Sequence, residues 1–103
     1  MNKKILEENI IAELKQVYDP EIPVNIYDIG LIYEINIDDD FNVKIIMTLT
    51  SPNCPVAEIL PEEVKESIKA MNGVKDVEVE LTFEPPWSQE MLTDEAKLEL
   101  GLI

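Results

Sequence analysis

Ile29-Gly30-Leu31-Ile32-Tyr33-Glu34-Ile35-Asn36-Ile37-Asp38-Asp39-Asp40-Phe41-Asn42-Val43-Lys44-Ile45-Ile46-Met47-Thr48-Leu49-Thr50 is the stretch that decides the fold. Ile29, Leu31, Tyr33, Ile35 and Ile37 alternate with Gly30, Ile32, Glu34 and Asn36, the period of a strand with one face buried. The alternation predicts a first strand over 29–37. The acidic run 38–40 with Phe41 and Asn42 reads as a solvated turn, and a second strand follows over 43–50. A hairpin is the simplest connection, which makes the two strands antiparallel.

Downstream, a helix is expected from Pro55, where proline is tolerated in the first turn. Its buried face is Val56, Leu60, Val64, Ile68 and Met71, and Asn72-Gly73 is a fitting stop. Pro61 lies inside this pattern, so a kink or break is expected there. A third strand over 74–83 buries Val77, Val79, Leu81 and Phe83 and turns Asp76, Glu78, Glu80 and Thr82 outward. After Glu84-Pro85-Pro86-Trp87-Ser88, a short helix over 93–100 has Thr93 as N-cap, acids in its first turn and Gly101 past its end. Upstream, Leu6, Ile10, Leu14 and Val17 predict an amphipathic helix over 3–17. It stops at Asp19-Pro20 because the residue before proline is pushed out of the helical region. The order predicts one α+β domain over 1–103. It is a two-layer α-β-β-α-β arrangement with a small mixed three-stranded sheet.

This order has a geometric consequence. The start of strand 1 lies beside the end of strand 2. If the helix carries the chain back to a parallel strand 3, the end of strand 3 lies at the same edge. Segments 19–28, 48–55 and 84–88 then converge. They bring Asp19, Glu21 and Asp28 near Cys54, with Thr48, Thr50, Pro86 and Trp87 around them. Loops outside strand ends on a rigid scaffold are common places for sites.

Composition narrows the chemistry. The 103 residues hold 22 acids against 8 bases, a net charge of −14, which argues against nucleic acid and anionic membranes as partners. No apolar run is long enough to span a bilayer. Acids interrupt the apolar start at Glu7 and Glu8, so the N-terminus does not read as a signal peptide. One cysteine gives no internal disulfide, as expected for a reducing cytoplasm.

Cys54 sits at a strand-to-helix junction, beside backbone N–H groups that lack intrahelical partners, a setting that lowers a thiol pKa. The nearby acids push the other way by like-charge repulsion. With no histidine in the chain, a Cys–His catalytic pair is excluded, and so is a structural zinc site built from Cys and His. A single thiol cannot hold a four-thiolate cluster. Iron or a cluster would be held only transiently, with carboxylates, exogenous thiols or a partner completing the shell, Cys54 with Asp19 and Glu21 being the candidate ligands; no stably bound cofactor is expected. Each feature also has a plainer reading. A lone cysteine is often a small buried hydrophobe, the aspartates are often turn formers, Thr48 and Thr50 fit ordinary strand positions, and Trp87 fits a plug at the sheet edge.

Three segments together resemble the SufT/PaaD-like family. The first is Asp19-Pro20-Glu21-Ile22-Pro23-Val24-Asn25-Ile26-Tyr27-Asp28-Ile29-Gly30-Leu31-Ile32-Tyr33. The second is Met47-Thr48-Leu49-Thr50-Ser51-Pro52-Asn53-Cys54-Pro55. The third is Leu81-Thr82-Phe83-Glu84-Pro85-Pro86-Trp87-Ser88, followed by Met91-Leu92-Thr93-Asp94-Glu95-Ala96-Lys97. The resemblance implies a fold akin to the C-terminal domain of NifU-type scaffolds and an auxiliary role in iron–sulfur cluster assembly, with the assembly machinery or client proteins as partners and a homodimer as one arrangement. It places the family's cysteine on Cys54, its early acids on Asp19 and Glu21, and its Asp-x-Gly pair on Asp28 and Gly30. The extra C-terminal cysteines of PaaD-type proteins are absent, which favours the short SufT-like branch. Two other readings stand beside it: a small thiol-dependent enzyme with Cys54 as nucleophile, and an interaction module in which Cys54 is structural.

Overall fold

The structure, a computed structural model, describes residues 2–18, 24–49 and 59–101. Helix α1 (Lys3–Leu14) is capped by Asn2, whose side chain accepts from the Ile5 N–H. A one-turn helix α2 (Ile26–Ile29) precedes strand β1 (Ile32–Ile37). Strand β2 (Asn42–Met47), helix α3 (Leu60–Lys69) and strand β3 (Asp76–Leu81) follow, then a 3₁₀ turn (Gln89–Met91) and helix α4 (Asp94–Glu99).

The sheet order is β1-β2-β3. β1 and β2 are antiparallel, and β2 and β3 are parallel, with Val43, Ile45 and Met47 opposite Val77, Val79 and Leu81. The expected α+β fold with its mixed three-stranded sheet is therefore present. One face of β2 (Val43, Ile45, Met47) is buried against Leu6, Ile10 and Leu14 of α1 and Leu60, Val64 and Ile68 of α3, all part of one hydrophobic cluster. Each such side chain contributes about 1.5–3 kcal/mol on burial. This cluster supplies the rigid platform from which the edge segments depart.

Several expected boundaries move, each for a local reason. Helix α1 ends at Leu14 rather than 17, because the chain tightens into i→i+3 bonds from Gln16 to Glu13 and from Val17 to Leu14. Val17 is buried all the same. Residues 26–29 are helical, not the start of β1. Asn25 caps them by accepting from the Asp28 N–H, and Gly30 closes the turn in the left-handed region at φ 90°. A bulge between Ile32 and Glu34 then shifts the register, which defeats a strict alternation read through residues 29–37.

Pro61 lies in the first turn of α3 as described, where proline is tolerated. The start of that helix near Pro55, and Val56 with it, lie outside the described residues. Phe83 is exposed rather than buried. The Thr82 N–H makes a last bond to the Met47 carbonyl, and the Thr82 hydroxyl then accepts from the Glu84 N–H and turns the chain away from the sheet. The C-terminal helix forms as expected, with the Thr93 hydroxyl accepting from the Ala96 N–H. Among the described residues, no helix is long and apolar enough to cross a membrane.

Candidate functional site

The parallel pairing of β2 and β3 puts the start of β1 and the ends of β2 and β3 at one edge, and a short backbone stretch, 28–31, ties them together. A helix leaves its last carbonyls without intrahelical partners, and in α2 every one of them finds a partner. The Ile26 carbonyl accepts from the Leu31 N–H and the Tyr27 carbonyl from the Gly30 N–H, both at 3.1 Å. The Asp28 carbonyl accepts from the Thr93 N–H at 3.0 Å. The Ile29 carbonyl accepts from the indole Nε1–H of Trp87 at 2.9 Å. Next along, the Leu31 carbonyl accepts from the Thr48 N–H at 2.8 Å.

Gly30 allows the closest approach in this region. A Cβ there would run into the Met91 carbonyl oxygen and lie 3.0 Å from Met91 Cβ. The 3₁₀ turn therefore packs directly on the α2 backbone. Tyr33 adds a second clasp, its hydroxyl donating to the Pro85 carbonyl at 2.6 Å and lying 3.6 Å from the Met91 sulfur.

Asp28 is buried, and its carboxylate accepts from the Asn25 Nδ2 amide at 2.9 Å, while the Asn25 side-chain Oδ1 accepts from the Asp28 N–H at 2.9 Å. Asn25 thus orients the carboxylate and caps the helix at once. Asp28 faces a hollow shared with Tyr18, Val24, Glu95 and Glu99. Tyr18 and Asn25 form an isolated bridge, and the Ile26 N–H reaches the Val17 carbonyl at 2.9 Å. Val17 and Tyr18 are therefore held to Asn25 and Ile26 beside Asp28.

Thr48 is fully buried at the end of β2, with its hydroxyl 3.4 Å from the Leu49 carbonyl. Pro86 is exposed and Trp87 half-buried. Of the residues singled out from sequence, Asp28, Thr48, Pro86 and Trp87 are thus placed at this edge. Asp19, Glu21, Thr50 and Cys54 lie outside the described residues. Among the described residues, no group of three or more Cys, Asp or Glu is arranged to hold a metal ion.

Sequence reasoning passed over Asn25, Tyr33 and Met91. Asn25 had a readable signal, an Asn followed three residues later by an acid, the pattern of a helix N-terminus. Tyr33 and Met91 had none, since each acts only through a distant backbone segment.

A profile of the iron–sulfur cluster assembly proteins matches residues 7–81, which takes in most of α1, the whole sheet and the edge built on 28–31. The chain belongs to this iron–sulfur cluster assembly family. An Fe-S protein maturation auxiliary factor of Porphyromonas gingivalis is 50% identical to it over 105 residues and covers all of both chains. The Fe-S protein maturation auxiliary factor SufT of Staphylococcus aureus is 36% identical over 84% of this chain and 98% of its own. The crystal structure of a domain of unknown function (DUF59) from Bacillus anthracis superposes with a TM-score of 0.89 at 36% identity, covering 97% of this chain and 95% of that one. The family match and this superposition agree with the SufT-like resemblance and with the α+β fold. The family profile stops at Leu81, so the Trp87 and Met91 clasps lie outside it.

Proposed function

We propose that this protein is an auxiliary factor in the maturation of iron–sulfur proteins and that Cys54 is its working group. The observation that carries the reading is the end-to-end 50% identity to a maturation auxiliary factor, set within a family match over 7–81. In this reading, iron or a cluster is cargo. The Cys54 thiolate makes a transient contact with it, or with a client protein, and Asp19 and Glu21 lend hard oxygen ligands. A soft thiolate with carboxylates is a poor set for permanent storage and a suitable one for hand-off. Asp28, Thr48, Pro86 and Trp87 lie at the sheet edge, and in this reading Thr50 joins them.

Two features of the described residues support this assignment. Tyr18 and Asn25 form a bridge beside Asp28. Leu49 is buried just past Thr48, and the Thr48 N–H bonds to the Leu31 carbonyl. The described residues that flank the proposed ligands in sequence therefore belong to one edge of the sheet.

The test is [4Fe–4S] enzyme activity, of the aconitase type, in cells lacking the protein and complemented with wild type or Cys54→Ser at equal protein level. Wild type is expected to restore activity and the variant to fail. If both restore it, the thiol is packing and the assignment to Cys54 is lost. If deletion leaves activity intact even under low iron, the maturation reading itself falls.

A further inference from the structure

The helices cover one face of the sheet. The opposite face carries Glu34, Ile46 and Glu80 in one cross-strand row, since Ile46 pairs with Glu34 on one side and Glu80 on the other. Ile46 is only half-buried, with both glutamates exposed beside it. This row lines a groove of about 700 Å³ that runs toward the 84–91 segment and is also bounded by Ile32, Glu84 and Met91. The Tyr33 hydroxyl ties Pro85 to Met91 at that end. The floor is thus aliphatic and the rim is acidic.

The rim acids are unevenly balanced. Lys44, one row further along β2, is the adjacent cation, and it is already shared between Glu78 at 3.5 Å and Glu80 at 3.8 Å. Among the described residues, Glu34 and Glu84 form no ion pair. We propose that this open sheet face is a docking groove for a partner protein's cationic amphipathic segment, in which aliphatic side chains cover Ile46 and the neighbouring Met91 and lysines or arginines meet Glu34, Glu80 and Glu84.

Charge selects this occupant over the others. A second copy laid face to face would set the same acids against one another in a chain of net charge −14. Nucleic acid and anionic lipid are repelled by the same field. A purely cationic partner would satisfy the rim and leave the aliphatic floor wet, which forfeits its burial. The proposal makes no use of Cys54 and is tested on the purified protein, so it and the maturation reading can fail separately.

The test is an amide NMR titration of the ¹⁵N-labelled full chain with a capped peptide of alternating leucine and lysine. A leucine–glutamate peptide and a serine–lysine peptide serve as controls. The leucine–lysine peptide is expected to shift the amides of 32–34, 46 and 80–84. Glu34→Lys combined with Glu80→Lys should weaken it roughly tenfold or more. Ile46→Ser should weaken it too, with the far amides of α1 and α3 unmoved as a check on folding. Binding that fades as salt rises through about 0.5 M supports the charged rim. The proposal is overturned if the serine–lysine peptide binds as well, if shifts centre on the acidic turn at 38–40, or if the glutamate peptide competes. It is overturned equally if the groove amides shift with protein concentration alone, which would assign the face to a second copy.

Discussion

At the hairpin end of the sheet, Asp38 ties down its own neighbours: its carboxylate accepts from the N–H groups of Asp40 and Asn42 and from the Asn42 side-chain amide, at 2.9, 2.9 and 3.0 Å. At the other end, Trp87 reaches Ile29 across 58 residues and Tyr33 reaches Pro85 across 52. The hairpin end forms as soon as five consecutive residues come into place. The site end exists only once the C-terminal segment has docked on α2. The second design brings separate segments to one place, and single changes there disturb several contacts together.

The docked end of the sheet is most sensitive at Gly30. Gly30→Ala puts a Cβ on a residue at φ 90° and against the Met91 carbonyl. Left-handed strain and displacement of the 3₁₀ turn should together cost about 2–4 kcal/mol, read as a lower urea midpoint. An unchanged midpoint would mean that the two segments do not pack as described. Trp87→Phe is the next step down. It keeps most of the ring and removes the Nε1 donor, leaving the Ile29 carbonyl without that partner, for a loss of about 1–2 kcal/mol. Hydrogen exchange should speed up at Thr93 and leave β2 untouched; acceleration in β2 would show that the two ends are not separable.

Asn25→Ala sharpens the picture locally. It deletes the α2 cap and the amide that orients Asp28, at a cost of about 1 kcal/mol. Asn25→Ser keeps a capping oxygen and should recover part of the stability, but not the contact to the Asp28 carboxylate. A variant in which serine recovers nothing would place the whole effect on that carboxylate.

The smallest effect belongs to the hairpin end. Bonding from the Asn42 side chain, and then from its backbone N–H, holds the Asp38 carboxyl below the ordinary value of 3.8. A carboxyl lowered in the folded state adds stability that is present above its ordinary value and is lost as pH falls through the folded one. The amide shifts of Asp40 and Asn42 should therefore titrate together below pH 3.8, and Asp38→Ala should abolish that titration with little change in stability at neutral pH. If those amides titrate at or above the ordinary value, the local network does not hold the charge.

Much of the fold was legible because it rests on periodicity. Leu6, Ile10 and Leu14 repeat at helical spacing, as do Leu60, Val64 and Ile68, and all six are buried. The parallel pairing of β2 and β3 follows from the crossover rule once the hairpin is read. What misled the reading was alternation carried too far. Ile29 and Leu31 are both buried, as a strand reading requires, yet Ile29 is buried from a helical turn. A four-residue helix offers too few positions to show a helical period, and only the Asn25 cap and Gly30 gave it away. Phe83 was missed for a similar reason: its apolar character continues the pattern of β3, while Thr82 turns the chain out of the sheet.

The sequence alone carried which residues are apolar on which period, where most turns fall, and that the chain holds one thiol and a net charge of −14. These are local or compositional properties, and they carry the main elements, the sheet topology and the family. Only the tertiary structure decided that the carbonyls of α2 are answered by Thr93 and Trp87, that Gly30 sits against Met91, and that Glu34, Ile46 and Glu80 share one row of an open face. The reason is that a carbonyl at a helix end must find a donor but carries no mark of which one. The donor it finds depends on which distant segment the packed core brings within hydrogen-bonding reach.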